Sequence, residues 1–401
     1  MKYFHFPLFV LFSFFFSCNI LPFQKKENNQ DMLLAALGIL ANASDWVWDL
    51  PPGFPVPIVP SDNPMSKAKV ELGRHLFNEK ILSGDETMSC GSCHIQSLAF
   101  ADGKDFPTGI TNVSHPRNSQ HLSNVAYIPR LTWSNPKMTS LEIQARAPMF
   151  GESPIELGLS SNVFLDKLKA KSIYQTLFTN AFGNADTAVN EQNVRFAIAS
   201  FQRSMISGNS KFDQYNYRNN KSALTASEIR GLNLFNGEVA ECFHCHGGFN
   251  FTDTSFHGGA TEEFFYHSNG IHTDAYYAGL PSNKRGLFDL TGVASDTGKF
   301  RAPSLRNIGV TYPYMHDGSF MCDNANNPKI TSGKSKTDCA RDALTKVVDH
   351  YRSGGQNHTV KDSTLIRAFT ITNSQRDDMV NFLLALTDDE FLTNPKFASP
   401  F

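Results

Sequence analysis

The sequence predicts a mainly α-helical protein of two comparable halves, with long loops and little β structure. Two observations carry this expectation. The pattern Cys-x-x-Cys-His occurs twice, as Cys90-Gly91-Ser92-Cys93-His94 and as Cys242-Phe243-His244-Cys245-His246. Each copy follows a helical pattern and precedes a long stretch that reads as loop, over 103–140 and 247–340. The 401 residues suffice for two cores, and 41% hydrophobic with 18% charged residues is a globular composition. A net charge of −2 gives no argument for a nucleic-acid partner.

Taken in order, residues 1–17 read as a signal peptide: Lys2 precedes a short apolar run, Leu8 to Phe16, that is too short to span a bilayer. The run ends at Ser17-Cys18, which marks Cys18 as a lipidation site; ordinary cleavage or an uncleaved anchor, with Cys18 a free thiol, is the alternative. Residues 18–60 form a tether and a Pro-rich lead-in around Trp46, Trp48, Pro51 and Pro52. The first half spans 61–220, with helices expected at 66–77, 162–181 and 188–206, and is expected to be completed by a terminal helix within 372–395. The second half spans 221–371. Thr225-Ala226-Ser227-Glu228 is a capping box that opens its first helix, helix resumes at 341–352, and Thr372-Asn373-Ser374-Gln375 is a second box. Of seven cysteines, four lie in the repeated motif and one is Cys18. The remaining Cys322 and Cys339 are expected to pair in an oxidising compartment and close an inserted loop at 320–340; two free thiols are the alternative.

Cys-x-x-Cys-His is the attachment pattern of c-type haem. The two thiols add to the porphyrin vinyl groups and the adjacent histidine takes an axial position on iron. A zinc site would instead bring both Cys-x-x-Cys pairs together. The expected architecture is therefore two cytochrome c-like haem domains, each with its own covalent haem. The motifs do not decide whether each iron keeps an open position for peroxide or is closed by a second protein ligand.

The surrounding segments resemble the bacterial di-haem cytochrome c peroxidase and MauG superfamily over residues 60–395. The similar segments are Leu72-Gly73-Arg74-His75-Leu76-Phe77, Gln144-Ala145-Arg146-Ala147-Pro148, Arg230-Gly231-Leu232-Asn233-Leu234-Phe235, Ala302-Pro303-Ser304-Leu305-Arg306-Asn307 and Pro313-Tyr314-Met315-His316-Asp317-Gly318. Trp48 to Pro55, Phe150 to Gly158 and Phe243 to Phe251 look most like the MbnH-like branch, associated with methanobactin gene clusters.

The resemblance implies that the first haem meets hydrogen peroxide, with Gln144, Glu156 and Pro148 around it and Glu152 as the competitor of Glu156. It implies an open first iron with His115 unbound, and a structural role for His121. It implies Tyr351 as distal ligand of the second haem, within Val348-Asp349-His350-Tyr351-Arg352-Ser353-Gly354-Gly355, with Met315 and His350 as rivals. It further implies one calcium ion at Asn118, Thr311 and Pro313, and roles for Arg301, Arg306 and His316 at haem propionates or between the haems. An inter-haem tryptophan is expected just ahead of the second motif, where this chain has Ala240 and Glu241; Trp133 matches a different tryptophan, near the first haem. The function implied is a periplasmic, lipid-anchored enzyme that uses hydrogen peroxide to reach a high-valent di-haem state. That state would oxidise a residue of an exported partner protein, tryptophan first. The alternatives are a conventional di-haem cytochrome c peroxidase fed by a small redox protein, and a non-catalytic electron-transfer module.

Overall fold

The computed structural model describes residues 46–258, 265–322 and 335–401. The leader, Cys18 and most of the inserted loop lie outside the described residues. Six helices among the described residues have ten or more residues: α1 (Lys67–Asn78), α2 (Ser172–Phe182), α3 (Glu191–Arg203), α4 (Ala226–Phe235), α5 (Lys336–Arg352) and α6 (Asn373–Leu384). Among the described residues there is no strand, only isolated bridges such as Ile95 with Ala101 and Thr108 with Ser114. No described helix is long and apolar enough to cross a membrane. The expected 162–181 helix is two, Val163–Lys169 and α2.

The described residues carry two hydrophobic cores within one unit. The first is built from Leu72, Leu76, Phe77, Phe178, Ala197 and Phe201, among others, and the second from Phe212, Phe235, Leu344, Met379, Phe382 and Leu386. Each is organised around one pair of helices in close contact. A Cβ on Gly73 of α1 would fall 2.0 Å from the Ala197 carbonyl oxygen of α3, and a Cβ on Gly231 of α4 would fall 2.0 Å from the Asp378 carbonyl oxygen of α6. Only glycine allows backbones to approach so closely. Four residues beyond each glycine stands a phenylalanine that packs on its counterpart: Phe77 on Phe201 at 5.4 Å and Phe235 on Phe382 at 5.4 Å.

The terminal helix is therefore placed differently from the sequence expectation. α6 belongs to the second core, where it partners α4; Phe391, Leu392 and Phe397, beyond it, reach the first core. Both predicted capping boxes are present, at Thr225/Glu228 and Thr372/Gln375. α5 starts five residues earlier than expected, because Ser335 and Asp338 form a further capping box. Cys322 and Cys339 are joined, and Cys339 lies in the first turns of α5 rather than in the loop.

Candidate functional site

Each motif forms one turn of helix whose histidine faces a cavity. His94 Nδ1 lies 2.6 Å from the Phe100 carbonyl oxygen and His246 Nδ1 lies 3.2 Å from the Phe251 carbonyl oxygen. A carbonyl only accepts, so both Nδ1 atoms carry the proton and both Nε2 atoms are left bare, as an iron ligand requires. Phe100 (φ 65°) and Phe251 (φ 51°) occupy the left-handed region, which turns each carbonyl back toward its histidine.

The cavities are separate. Cys90, Cys93 and His94 line one; Cys242, Cys245 and His246 line the other. The four thiols thus do not meet as a zinc site would need. Burial pushes Cys90 and Cys242 up to about 12, so neither is a thiolate. Arg301 lines the second cavity, buried and with no carboxylate at ion-pair distance among the described residues, and burial lowers it to about 10. A buried guanidinium with no carboxylate paired directly to it fits a haem propionate. The residues present fit two covalent haems.

The first cavity also contains Gln144, Pro148, Glu156 and His115. Glu152 is exposed and absent from its wall, whereas Glu156 lines it, as does Asp289, which is paired with Arg117 at 3.3 Å. Burial raises the Glu156 pKa above the usual carboxylate range and lowers that of His115. The two face each other, His115 Nε2 3.7 Å from Glu156 Oε1, while His115 Nδ1 accepts from the Arg117 N–H at 3.2 Å. Gly109 makes this possible: a Cβ there would strike the Ile155 carbonyl oxygen at 2.0 Å, so the 107–115 turn lies directly on the segment bearing Glu156.

The second cavity contains Tyr351, Met315, His316, Asn118, Thr311 and Pro313. Tyr351 therefore shares a cavity with His246. The rival His350 is turned away, its Nε2 donating to the Asn269 carbonyl at 3.0 Å. Met315 does reach the cavity. His316 is buried, stacks on Phe300 at 3.7 Å, and burial lowers it to about 3. Arg306 departs from the expectation: it lines neither cavity. It is fully buried in an ion pair with Asp213 at 2.6 Å, and also donates to the Phe249 carbonyl, so it holds the second core together instead of meeting a propionate. His121 lines the second cavity and bonds the Ser304 carbonyl at 2.9 Å, a tie between the halves.

Trp133 lines both cavities, and its Nε1 donates to the Asn118 carbonyl at 2.8 Å. No tryptophan stands directly before the second motif, and of the three tryptophans Trp133 is the one that lines a cavity. Two further residues escaped the sequence reading because each is a lone polar residue in the long 247–340 loop. His267 stands beside Cys245; burial opposes its charge, but Asp253 at 2.6 Å and Asp362 at 3.0 Å hold it protonated up to about 12. Asn269 Nδ2 lies 3.1 Å from the Tyr351 oxygen.

Comparison with known proteins shows the family. A sequence profile described as di-haem cytochrome c peroxidase matches residues 67–222. Cytochrome-c peroxidase IdrP1 of Pseudomonas sp. (strain SCT) is 33% identical over 386 residues, covering 91% of this chain and 94% of that protein. Methylamine utilization protein MauG of Methylorubrum extorquens is 32% identical over 330 residues, 82% of this chain and 80% of that protein. The crystal structure of a MauG-like protein associated with microbial copper homeostasis superposes with a TM-score of 0.79 at 37% identity, over 88% of this chain and 99% of that one.

Proposed function

This chain belongs to the di-haem cytochrome c peroxidase and MauG family, and on that premise we propose that it uses hydrogen peroxide to oxidise a residue, tryptophan first, of an exported partner protein. The relatives include both a cytochrome c peroxidase and MauG, so membership alone leaves the electron source open. The observation that carries the proposal is Tyr351 in the second cavity with His246. An anionic phenolate on iron favours the oxidised metal, whereas a Met ligand raises the potential and favours stored ferrous iron. A second haem closed by tyrosine is suited to holding an oxidising equivalent.

When bound, the haems supply O–O cleavage and storage of two oxidising equivalents. The chain's own residues do the rest. Glu156 takes a proton from the near oxygen of peroxide and returns it to the far one, which leaves as water. Gln144 orients the peroxide with its amide, and Pro148 keeps that wall apolar. His115 holds the Glu156 carboxyl in place. Trp133 offers an indole path for an electron between the cavities. The balance is one hydrogen peroxide, two protons and two electrons to two waters, the electrons coming from the partner's side chain.

Calcium belongs to the same reading. Asn118, Thr311 and Pro313 line one cavity and offer neutral oxygen ligands, which suit this hard cation. So do export to the periplasm and a lipid at Cys18. The deciding measurement mixes the ferric protein with hydrogen peroxide in the absence of a reductant. The proposal expects the absorption of both haems to change at once. An unchanged spectrum until an electron is supplied would establish the conventional peroxidase reading, which the position of Met315 in the second cavity favours.

A further inference from the structure

We propose that Asn269 is the positioning residue of the second haem, donating a hydrogen bond to the Tyr351 oxygen and so setting how strongly that oxygen donates to iron. The inference rests on the reading of Tyr351 as the ligand and adds to it a residue that controls the ligand.

The amide of Asn269 has one orientation. Its Oδ1 accepts the Ile271 N–H at 3.2 Å, which turns Nδ2 into the cavity. Nδ2 then lies 3.1 Å from the Tyr351 oxygen and 3.3 Å from Met315 Sδ. The two side chains able to close the second iron thus share one donor. An N–H bond to a phenolate oxygen is charge-assisted and far stronger than one to a thioether sulfur. The shared donor therefore favours the tyrosine as the anionic ligand. It also withdraws electron density from that oxygen, as an outer hydrogen bond does at a metal ligand.

The backbone explains why Asn269 stands there. Tyr351 stands in the last turn of α5, just ahead of Ser353-Gly354-Gly355, and both glycines are left-handed, with φ of 79° and 69°. A Cβ on Gly355 would fall 2.9 Å from the Asn269 carbonyl oxygen. The glycine pair lets the 269–270 segment lie against the helix end, where His350 Nε2 and the Gln356 N–H bond the Asn269 and Gly270 carbonyls at 3.0 and 2.7 Å. These bonds use main-chain oxygens, so they survive a change of the Asn269 side chain.

The test uses the full-length ferric holoprotein with Asn269→Leu and Asn269→Asp, and reads the tyrosinate-to-iron charge-transfer band and the midpoint potential of the second haem. Removal of the donor makes the phenolate a stronger ligand. The band is expected at longer wavelength and the potential lower in Asn269→Leu, with the first haem's signals unmoved. Asn269→Asp keeps the shape and the Ile271 contact but, at alkaline pH, has no N–H to give; it is expected to shift in the same direction. If Asn269→Asp matches the parent while Asn269→Leu moves, packing is the cause and the proposal falls. If neither moves, it also falls. Tyr351→Phe separates the two readings. Where it abolishes the band, tyrosine ligation stands whatever the Asn269 variants do; where the second haem's spectrum survives it, ligation by Tyr351 fails and this inference with it.

Discussion

The two halves share their proximal side and differ on their distal side. In both, a glycine lets two helices touch, a phenylalanine four residues on seals the pair, and a left-handed phenylalanine bonds the histidine Nδ1. Asn124 and Asn307, both left-handed at φ 59°, open matching short helices, and both bond Ser207 at the junction of the halves. Opposite the histidines the likeness ends. The first cavity is lined by the titratable pair Glu156 and His115; the second is lined by Tyr351 and Met315, whose oxygen and sulfur are the atoms that the proposed function sets toward iron. The two cavities thus share a histidine side and differ in the side chains on the rest of the wall.

The largest expected effect removes the proton-moving wall. Glu156→Gln should slow the reaction with peroxide by roughly 10²–10⁴-fold, the usual worth of a positioned acid–base group. Glu152→Gln should leave the rate alone. The pH profile gives the sign. The ionised carboxylate takes the first proton, so the rate falls as pH drops through the Glu156 pKa. Burial raises that pKa, so the fall comes at higher pH than for an ordinary glutamate. Stopped-flow rates from pH 5 upward check both; a parent profile as flat as the variant's would remove Glu156 from the mechanism. On the other wall, Tyr351→Met should raise the potential of the second haem and make peroxide chemistry depend on prior reduction. A variant that still reacts in the ferric state would show that the distal ligand is not what separates the halves.

Next in size come the supports. Arg306 and Asp213 are each about 1% exposed, so truncating one strands the other. Asp213→Ala should cost ~3–5 kcal/mol, as for other buried pairs broken on one side, and lower the midpoint of thermal unfolding. Gly73→Ala and Gly231→Ala each force the helix pair apart and should cost at least ~1–3 kcal/mol. Equal costs would confirm that the two pairs are equivalent; a cost in one half alone would break the comparison.

The sequence made some of this legible for a physical reason. Haem attachment is written in five adjacent residues, so it survives without a structure. The place of Tyr351 in the second cavity was legible because Gly354-Gly355 follows its helix, a local signature of the turn. Capping at Thr225 and Thr372 is equally local. By contrast, Asn269 and His267 left no such signal: each is a single residue in a long loop, brought to a cavity by tertiary contacts that leave no spacing. Arg306 was misread for the same reason, since its partner Asp213 lies 93 positions away. The place of α6 was misjudged although a signal existed. Gly231 with Phe235 repeats Gly73 with Phe77, and reading that repeat would have predicted a partner for α4 of the α3 kind.

The smallest effect tests whether the halves are coupled. α4 begins with a reciprocal box in which Thr225 Oγ1 accepts the Glu228 N–H at 3.3 Å and Glu228 accepts the Thr225 N–H at 2.7 Å. α1 has only one such bond, from the Lys69 N–H to Ser66 Oγ at 3.2 Å. Thr225→Ala should therefore cost ~1 kcal/mol, the typical worth of a cap. Loss of that size raises amide exchange roughly fivefold where opening is local. If the cores open separately, exchange should rise in α4 and its partner α6 and stay constant in α1 and α3. An equal rise in all four helices would mean that Asn124, Asn307 and Ser207 lock the cores into one cooperative unit. The likeness of the halves would then describe how the chain is built and not how it moves.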